Sequence, residues 1–323
     1  MNAPIVAALG GGHGLAATLS ALRFLTEEVT AIVTVADNGG SSGRLRREFG
    51  ILPPGDLRMA LAALCDDSEW GHIWRDVLQH RFSGDSPLAG HALGNLLILA
   101  LWELHDDPVA GLELVRSLLR AHGRVLPMAA VPLDIVADVL GADPSTPDEV
   151  TLVEGQAEVA ATRGRVVEVR LLPHAPPAYP ESVAAIRAAD WVVLGPGSWF
   201  TSVMPHLLVP DLREALGVTR ARRLLALNLQ MQTAETAGFG AAQYVESFVE
   251  HAPEVRLDVV LADPRVVGDP DPLERTCRAV GAELHLTGLA QRATPTVHDP
   301  LRYAAALQDI MLAGSGVHRS MGG

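Results

Sequence analysis

Lysine is absent from this 323-residue chain: its basic residues are 25 arginines and 12 histidines. That excludes a P-loop lysine, a Schiff-base lysine and a lysine general base. Any phosphate held here must be met by arginine, backbone N–H groups or a metal ion. Cysteine is scarce as well. Cys65 and Cys277 are the only two, neither has the partner spacing of a metal site, and both read as reduced core thiols. Aromatic residues make up 4 % against an apolar fraction of 48 %, which is the composition of an aliphatic-packed, enzyme-type fold. No run approaches the roughly 18 uncharged apolar residues of a membrane span. The chain enters its first strand without a basic-then-apolar leader, so a cytoplasmic location is expected rather than secretion. A net charge of −13 argues against generic nucleic-acid binding, which needs a basic face. There is no internal repeat, no low-complexity tract and no Ser/His/Asp order that suggests a triad.

What is present is a set of glycine-rich strand ends. Ile5 to Leu9 is a buried-type strand running into Gly10-Gly11-Gly12-His13-Gly14. Thr30 to Ala36 is another, running into Asp37-Asn38-Gly39-Gly40-Ser41-Ser42-Gly43-Arg44. Each is followed by a helix start, where free N–H groups and a partial positive charge bind anions. Gly12 to Ala17 fits the G-x-G-x-x-A dinucleotide fingerprint, with Asp37 in the place of the ribose-binding acid. That fingerprint alone also suggests an NAD-dependent oxidoreductase, but no proton-relay pair accompanies it. His13 can bond a phosphate or face solvent. In the second loop Ser41, Ser42 and Gly40 can form an anion nest, with Arg44 as the phosphate partner and Arg46 and Arg47 on a solvated helix face. Asp37 can hold a ribose hydroxyl or a metal, and is the one weak metal candidate; Asn38 cannot supply a second carboxylate.

The rest of the chain alternates strands and helices, which predicts an α/β fold with a mostly parallel sheet. Helices are expected over Leu15 to Leu25, from Arg44, over Leu57 to Leu64 with Asp56 as N-cap, and over Ser182 to Ala188. A helical excursion covers about 57–122, with Trp70, Trp74 and Trp102 as packing residues. Thr151 to Leu172 reads as short antiparallel strands. Buried strands are expected at Trp191 to Leu194, Arg223 to Leu227 and Leu257 to Leu261, ending in Gly195-Pro196-Gly197-Ser198, Asn228 and Asp263-Pro264. Ligands in open α/β sheets sit outside such carboxyl ends. His91 and Asn95, in Gly90-His91-Ala92-Leu93-Gly94-Asn95, reach a base or phosphate if their helix end faces the sheet, or else form a plain turn. Residues 1–313 read as one domain and 314–323 as a loose tail.

These blocks, with Leu52-Pro53-Pro54-Gly55-Asp56-Leu57-Arg58 between them, occur in an order that resembles the YvcK-type gluconeogenesis factors of the CofD-like superfamily, which includes 2-phospho-L-lactate transferase. The resemblance implies a Rossmann-like three-layer α/β/α sandwich. It also implies binding of a UDP-sugar such as UDP-N-acetylglucosamine, or a related dinucleotide, by Gly11, Gly12, His13, Gly14, Asp37, Asn38, Gly40, Ser41, Ser42, Arg44, Asp56, His91, Asn95, Gly195, Gly197, Ser198 and Asn228. The family role is regulatory, supporting cell shape and cell-wall synthesis during gluconeogenic growth, without a required cofactor beyond Mg²⁺ brought by the nucleotide. The transferase branch would instead move a phospholactyl group from a guanosine diphosphate conjugate to a deazaflavin alcohol with Mg²⁺. Some members are phosphorylated by Ser/Thr kinases near the C-terminus, where this chain offers Ser315 and Ser320. A homodimer is the expected assembly. The chain departs from the family at His13, where Thr or Ser is usual, and at Asn38, where a second Asp is usual.

Overall fold

Short unbroken apolar runs such as Val6–Leu9 and Trp191–Leu194 become the centre of a parallel sheet, because only strands covered on both faces can be apolar throughout. In the computed structural model, which describes residues 3–231 and 233–317, β1 (Val6–Gly10), β2 (Val29–Val33), β3 (Arg124–Pro127), β7 (Trp191–Leu194), β8 (Arg222–Ala226), β9 (Val259–Ala262) and β10 (Glu283–Leu286) form a seven-stranded sheet. Its order is β10-β9-β8-β7-β1-β2-β3, and every pair is parallel. The chain winds outward from β1 through β2 to β3, then returns to the other side of β1 to add β7 through β10. The switch point of the winding therefore lies between β1 and β7.

Two groups of helices cover the sheet, giving the three-layer Rossmann-like architecture. One contains α1 (Gly12–Leu22), α2 (Gly40–Phe49), α3 (Pro54–Ala63), the excursion α4 (Glu69–Gln79), α5 (Leu93–Leu104) and α6 (Pro108–Leu119), and the C-terminal helix α14 (Pro300–Val317). Here α1 packs on both α3 and α14. The other contains α8 (Pro180–Ala188), α9 (Pro205–Leu208), α10 (Pro210–Val218), α11 (Ala241–His251), α12 (Pro264–Val267) and α13 (Asp271–Val280). A π-helical turn, Trp199–Val203, precedes α9. Three further strands, β4 (Asp134–Leu140), β5 (Val150–Glu154) and β6 (Arg165–Leu172), make a small antiparallel sheet of order β5-β4-β6, with α7 (Gln156–Ala161) between its last two strands.

Several expectations shift. Asp56 is not the N-cap of α3: Pro53 holds that position and Pro54 begins the helix, leaving Asp56 in the first turn. Trp74 and Trp102 pack partly buried against the core, but Trp70 is 44 % exposed, its ring lying under Arg120. Arg46 is not on a solvated face. Its guanidinium pairs with Asp134 at 2.7 Å and bonds the Leu133 carbonyl at 2.8 Å, joining α2 to β4. Residues 314–317 of the expected tail continue α14, and 318–323, with Ser320, lie outside the described residues. Among the described residues no helix is long and apolar enough to cross a membrane. Cys65 and Cys277 are free and buried, and burial pushes the Cys277 thiol up to about 11.

Candidate functional site

The loops after β1 and β7 meet in backbone contact. Gly12 sits at φ 54°, a left-handed conformation costly for side-chain-bearing residues, and opens α1 directly after the strand. Any Cβ on Gly14 would collide with the Pro196 carbonyl and the Gly197 backbone. The β7 loop is fixed from its other side by Asn228, whose Oδ1 accepts from the Gly197 N–H at 2.7 Å while its Nδ2 donates to the Gly197 carbonyl at 2.6 Å. Behind the loop, Thr18 donates to the Gly195 carbonyl at 2.9 Å and meets the Tyr303 hydroxyl at 3.1 Å. The N-terminus of α1 has no side-chain cap at Gly11; the Asp56 carboxylate meets the Gly12 N–H, and the next N–H groups of the turn face the space beyond the loop.

Over these loops lies a cavity of about 630 Å³. Gly11, Gly12, His13, Gly14, Gly197, Ser198 and Asn228 line it, as the sequence suggested, with His13 on the exposed rim. Gln230 and Thr233 continue the wall from Asn228 after β8, and one part was not foreseen: Gln291, Thr296, Val297, His298 and Pro300 arrive from the segment after β10. No spacing or residue type in that polar stretch announces it. The segment is anchored by Asp263, whose Oδ2 accepts from the N–H groups of Leu289 and Ala290 at 2.8 and 3.2 Å. Against the upward push of burial, the Arg265 guanidinium and then those backbone bonds hold the Asp263 carboxyl far below the usual range. His298 stacks on Tyr303 with ring centroids 5.2 Å apart, and its buried Nε2 has no partner. Burial pulls the His298 imidazole down to about 4, so it is neutral at ordinary pH.

The second loop leads away from the cavity. Gly11 approaches the Asp56 carboxylate so closely that an added Cβ would lie 2.7 Å from Oδ2. On the other side, Asp37 accepts from the Gly39 N–H at 2.9 Å and faces Gly55. Burial, followed by the charge of Asp37, raises the Asp56 carboxyl to about 7. Asp56 thus supplies the second carboxylate that Asn38 could not. Asn38 itself is committed elsewhere: it accepts from the Ala157 N–H at 3.0 Å and donates to Glu158 at 2.8 Å, docking α7 on the loop. Among the described residues no group of three or more His, Cys, Asp or Glu side chains gathers as a metal cage.

Beyond the carboxylates is an internal network. The Ser41 hydroxyl lies 3.0 Å from His91 Nδ1 and accepts from Asn95 Nδ2 at 3.0 Å, and Asn95 Oδ1 accepts from Arg58 Nε at 2.9 Å. His91 and Asn95 are buried and serve this network, outside the cavity wall. Ser42 is buried against Gly55, and Gly40 is exposed at the start of α2. Arg44 reaches the Ala89 carbonyl at 2.8 Å. Gly195 is buried beneath the cavity floor.

Residues 6–289 match the family described as 2-phospho-L-lactate transferase CofD. A Mycobacterium tuberculosis (strain H37Rv) protein, provisionally named a gluconeogenesis factor, is 52 % identical over 308 residues, spanning 94 % of this chain and 90 % of the relative. The gluconeogenesis factor of Bacillus subtilis (strain 168) is 35 % identical over 272 residues, spanning 84 % and 82 %. A crystal structure of a UPF0052 family member from Bacillus halodurans superposes with a TM-score of 0.83 at 31 % identity, covering 95 % of this chain and 99 % of that one. The chain belongs to the CofD family, in the company of the gluconeogenesis factors.

Proposed function

We propose that this protein binds a UDP-sugar in the cavity between the β1 and β7 loops and acts as a cytoplasmic regulator, linking carbon supply to cell-wall synthesis and cell shape during gluconeogenic growth. The observation that carries this reading is the cavity itself. It lies at the switch point of a doubly wound sheet, it opens on the N-terminus of α1, and its volume of about 630 Å³ suits a nucleoside diphosphate with its sugar. The diphosphate would lie on the N–H groups of His13 and Gly14, with the loop of Gly197 and Ser198 opposite. Asp37 and Asp56 fit a Mg²⁺ ion carried by the nucleotide, because burial and then the neighbouring Asp37 charge raise the Asp56 carboxyl to about 7, a cost that the nearby Arg58 offsets only in part. When bound, Mg²⁺ would supply charge neutralisation between those carboxylates and the diphosphate.

The same carboxylate pair favours a second reading, the transferase chemistry of the family with a guanosine diphosphate conjugate and a deazaflavin acceptor. Thermal unfolding separates the two. UDP-N-acetylglucosamine, UDP, GDP, NAD and the deazaflavin alcohol are compared with and without Mg²⁺. The regulatory reading expects UDP-sugars to stabilise the protein by about 2.7 kcal/mol at a hundredfold excess over Kd. Stabilisation by the guanosine nucleotide and deazaflavin alone would replace it with the transferase.

A further inference from the structure

Half of the arginines among the described residues pair with carboxylates, as Arg46 does with Asp134 and Arg223 with Asp258 at 3.2 Å. Among those that form no ion pair, Arg44, Arg58 and Arg81 stand out because they gather near His91 at the N-terminal end of α5. Arg44 and Arg81 are pinned by neighbouring carbonyls, Arg44 by Ala89 and Arg81 by Gly90 at 2.9 Å. Arg58 is 3 % exposed; only its Nε–H has an acceptor, and its Nη1 is sealed from solvent with none. The cations also repel each other. Burial and then Arg81 draw the Arg58 guanidinium down to about 10, and burial and then Arg44 lower the His91 imidazole. The first turn of α2 has no side-chain cap, and the bond between Ser41 and Asn95 joins it to the start of α5, so its N–H groups lie at the same place.

A buried guanidinium with an unsatisfied Nη1 beside like charges is costly; Asp56 and Asp37 offset that cost only in part, and an oxyanion in the cluster would remove the rest. The donors come from several directions and their charge exceeds one, which suits a phosphoryl dianion better than a planar carboxylate. None of the three arginines lines the cavity of the β1 and β7 loops. We propose that Arg44, Arg58 and Arg81 form a second anion site, which holds the phosphoryl group of a ligand other than the nucleotide. Arg44 and Arg81 form its entrance and Arg58 its floor. The Asp37–Asp56 pair lies between this site and the cavity, so the two ligands would face each other across those carboxylates.

Inorganic phosphate is the probe, titrated by calorimetry into the full chain, alone and with saturating UDP-N-acetylglucosamine. In Arg44→Gln and Arg81→Gln the phosphate Kd should rise about tenfold or more, the usual effect of losing one charge-assisted hydrogen bond. Arg81→Gln should leave nucleotide-sugar binding as it is, and Gly14→Ala should leave phosphate binding as it is. Arg81 is exposed, so its variant remains informative if Arg58→Gln fails to fold. Equal phosphate affinity in wild type and Arg81→Gln overturns the site, as does absence of phosphate binding or its displacement by UDP. The proposal leans on the cavity reading only in calling the phosphate ligand the second one. If no nucleotide sugar binds while phosphate still depends on Arg81, that reading fails and the anion site stands.

Discussion

Asn38 shows how a residue that looks like a lost ligand can be a gained joint. An aspartate there could accept from the Ala157 N–H, but it could not donate to Glu158 and would repel it. We therefore expect Asn38→Asp to lose about 1 kcal/mol of stability, the scale of one partly exposed hydrogen bond, without tightening Mg²⁺ binding; urea unfolding and Mg²⁺ titration check the two halves. Glu235 is a second case. It is 2 % exposed and faces the N–H groups of Trp199 and Phe200 and the Thr201 hydroxyl without a full hydrogen bond to either carboxyl oxygen. Burial raises it from 4.5 to about 7. The folded chain then keeps a proton that the unfolded chain releases, so this residue makes stability fall as pH rises from about 4.5 to about 7, and the loss persists above. Glu235→Gln removes that loss. Its stability relative to wild type should grow by on the order of 3 kcal/mol between pH 4.5 and pH 8, measured by denaturant unfolding; a flat difference would show that Glu235 is already paired or solvated.

At the scale of elements, the glycine loops and the central strands were legible because their signals are local. Val6 to Gly10 and Trp191 to Leu194 are apolar throughout and run into glycine, and Val29 to Val33 is broken only by Thr30, with Asp37 a few residues on. By contrast β3 is four residues ending in proline, β10 is the half-polar edge Glu283 to Leu286, and β4 mixes Asp134 and Asp138 into its run. None of these carries a period long enough to read. The partners of Arg46 and Asn38 lie 88 and 120 residues away, so no local pattern could reveal them. The site divides the same way: its glycine floor was visible, and its wall from Gln291 to His298 was not. Two variants test floor and wall separately. Gly14→Ala, which drives a methyl into the Pro196 carbonyl, should abolish nucleotide-sugar binding. Asp263→Asn keeps the side chain's shape but weakens its hold on Leu289 and Ala290. It should cost about 2 kcal/mol in stability and weaken ligand binding through the loosened wall. Unchanged affinity in Asp263→Asn would mean the segment after β10 takes no part in the site.

On the scale of the whole molecule, the cavity is where the two ends of the chain meet. Its floor comes from the first loop and its wall from the segment before the last helix, with α14 packed on α1 and Tyr303 bonded to Thr18. A ligand touching both must stabilise the union, because binding to the native state alone suppresses every opening that separates floor from wall. Hydrogen exchange should therefore slow over residues 287–305 as well as in α1 when UDP-N-acetylglucosamine is added. The small sheet β5-β4-β6, which lines none of the cavity, should exchange as before. At a hundredfold excess over Kd, sub-global openings of the wall should become about a hundredfold rarer. If protection instead arose only near Asp37 and Ser41, the nucleotide would lie along the second loop, and the two chain ends would be joined for stability alone.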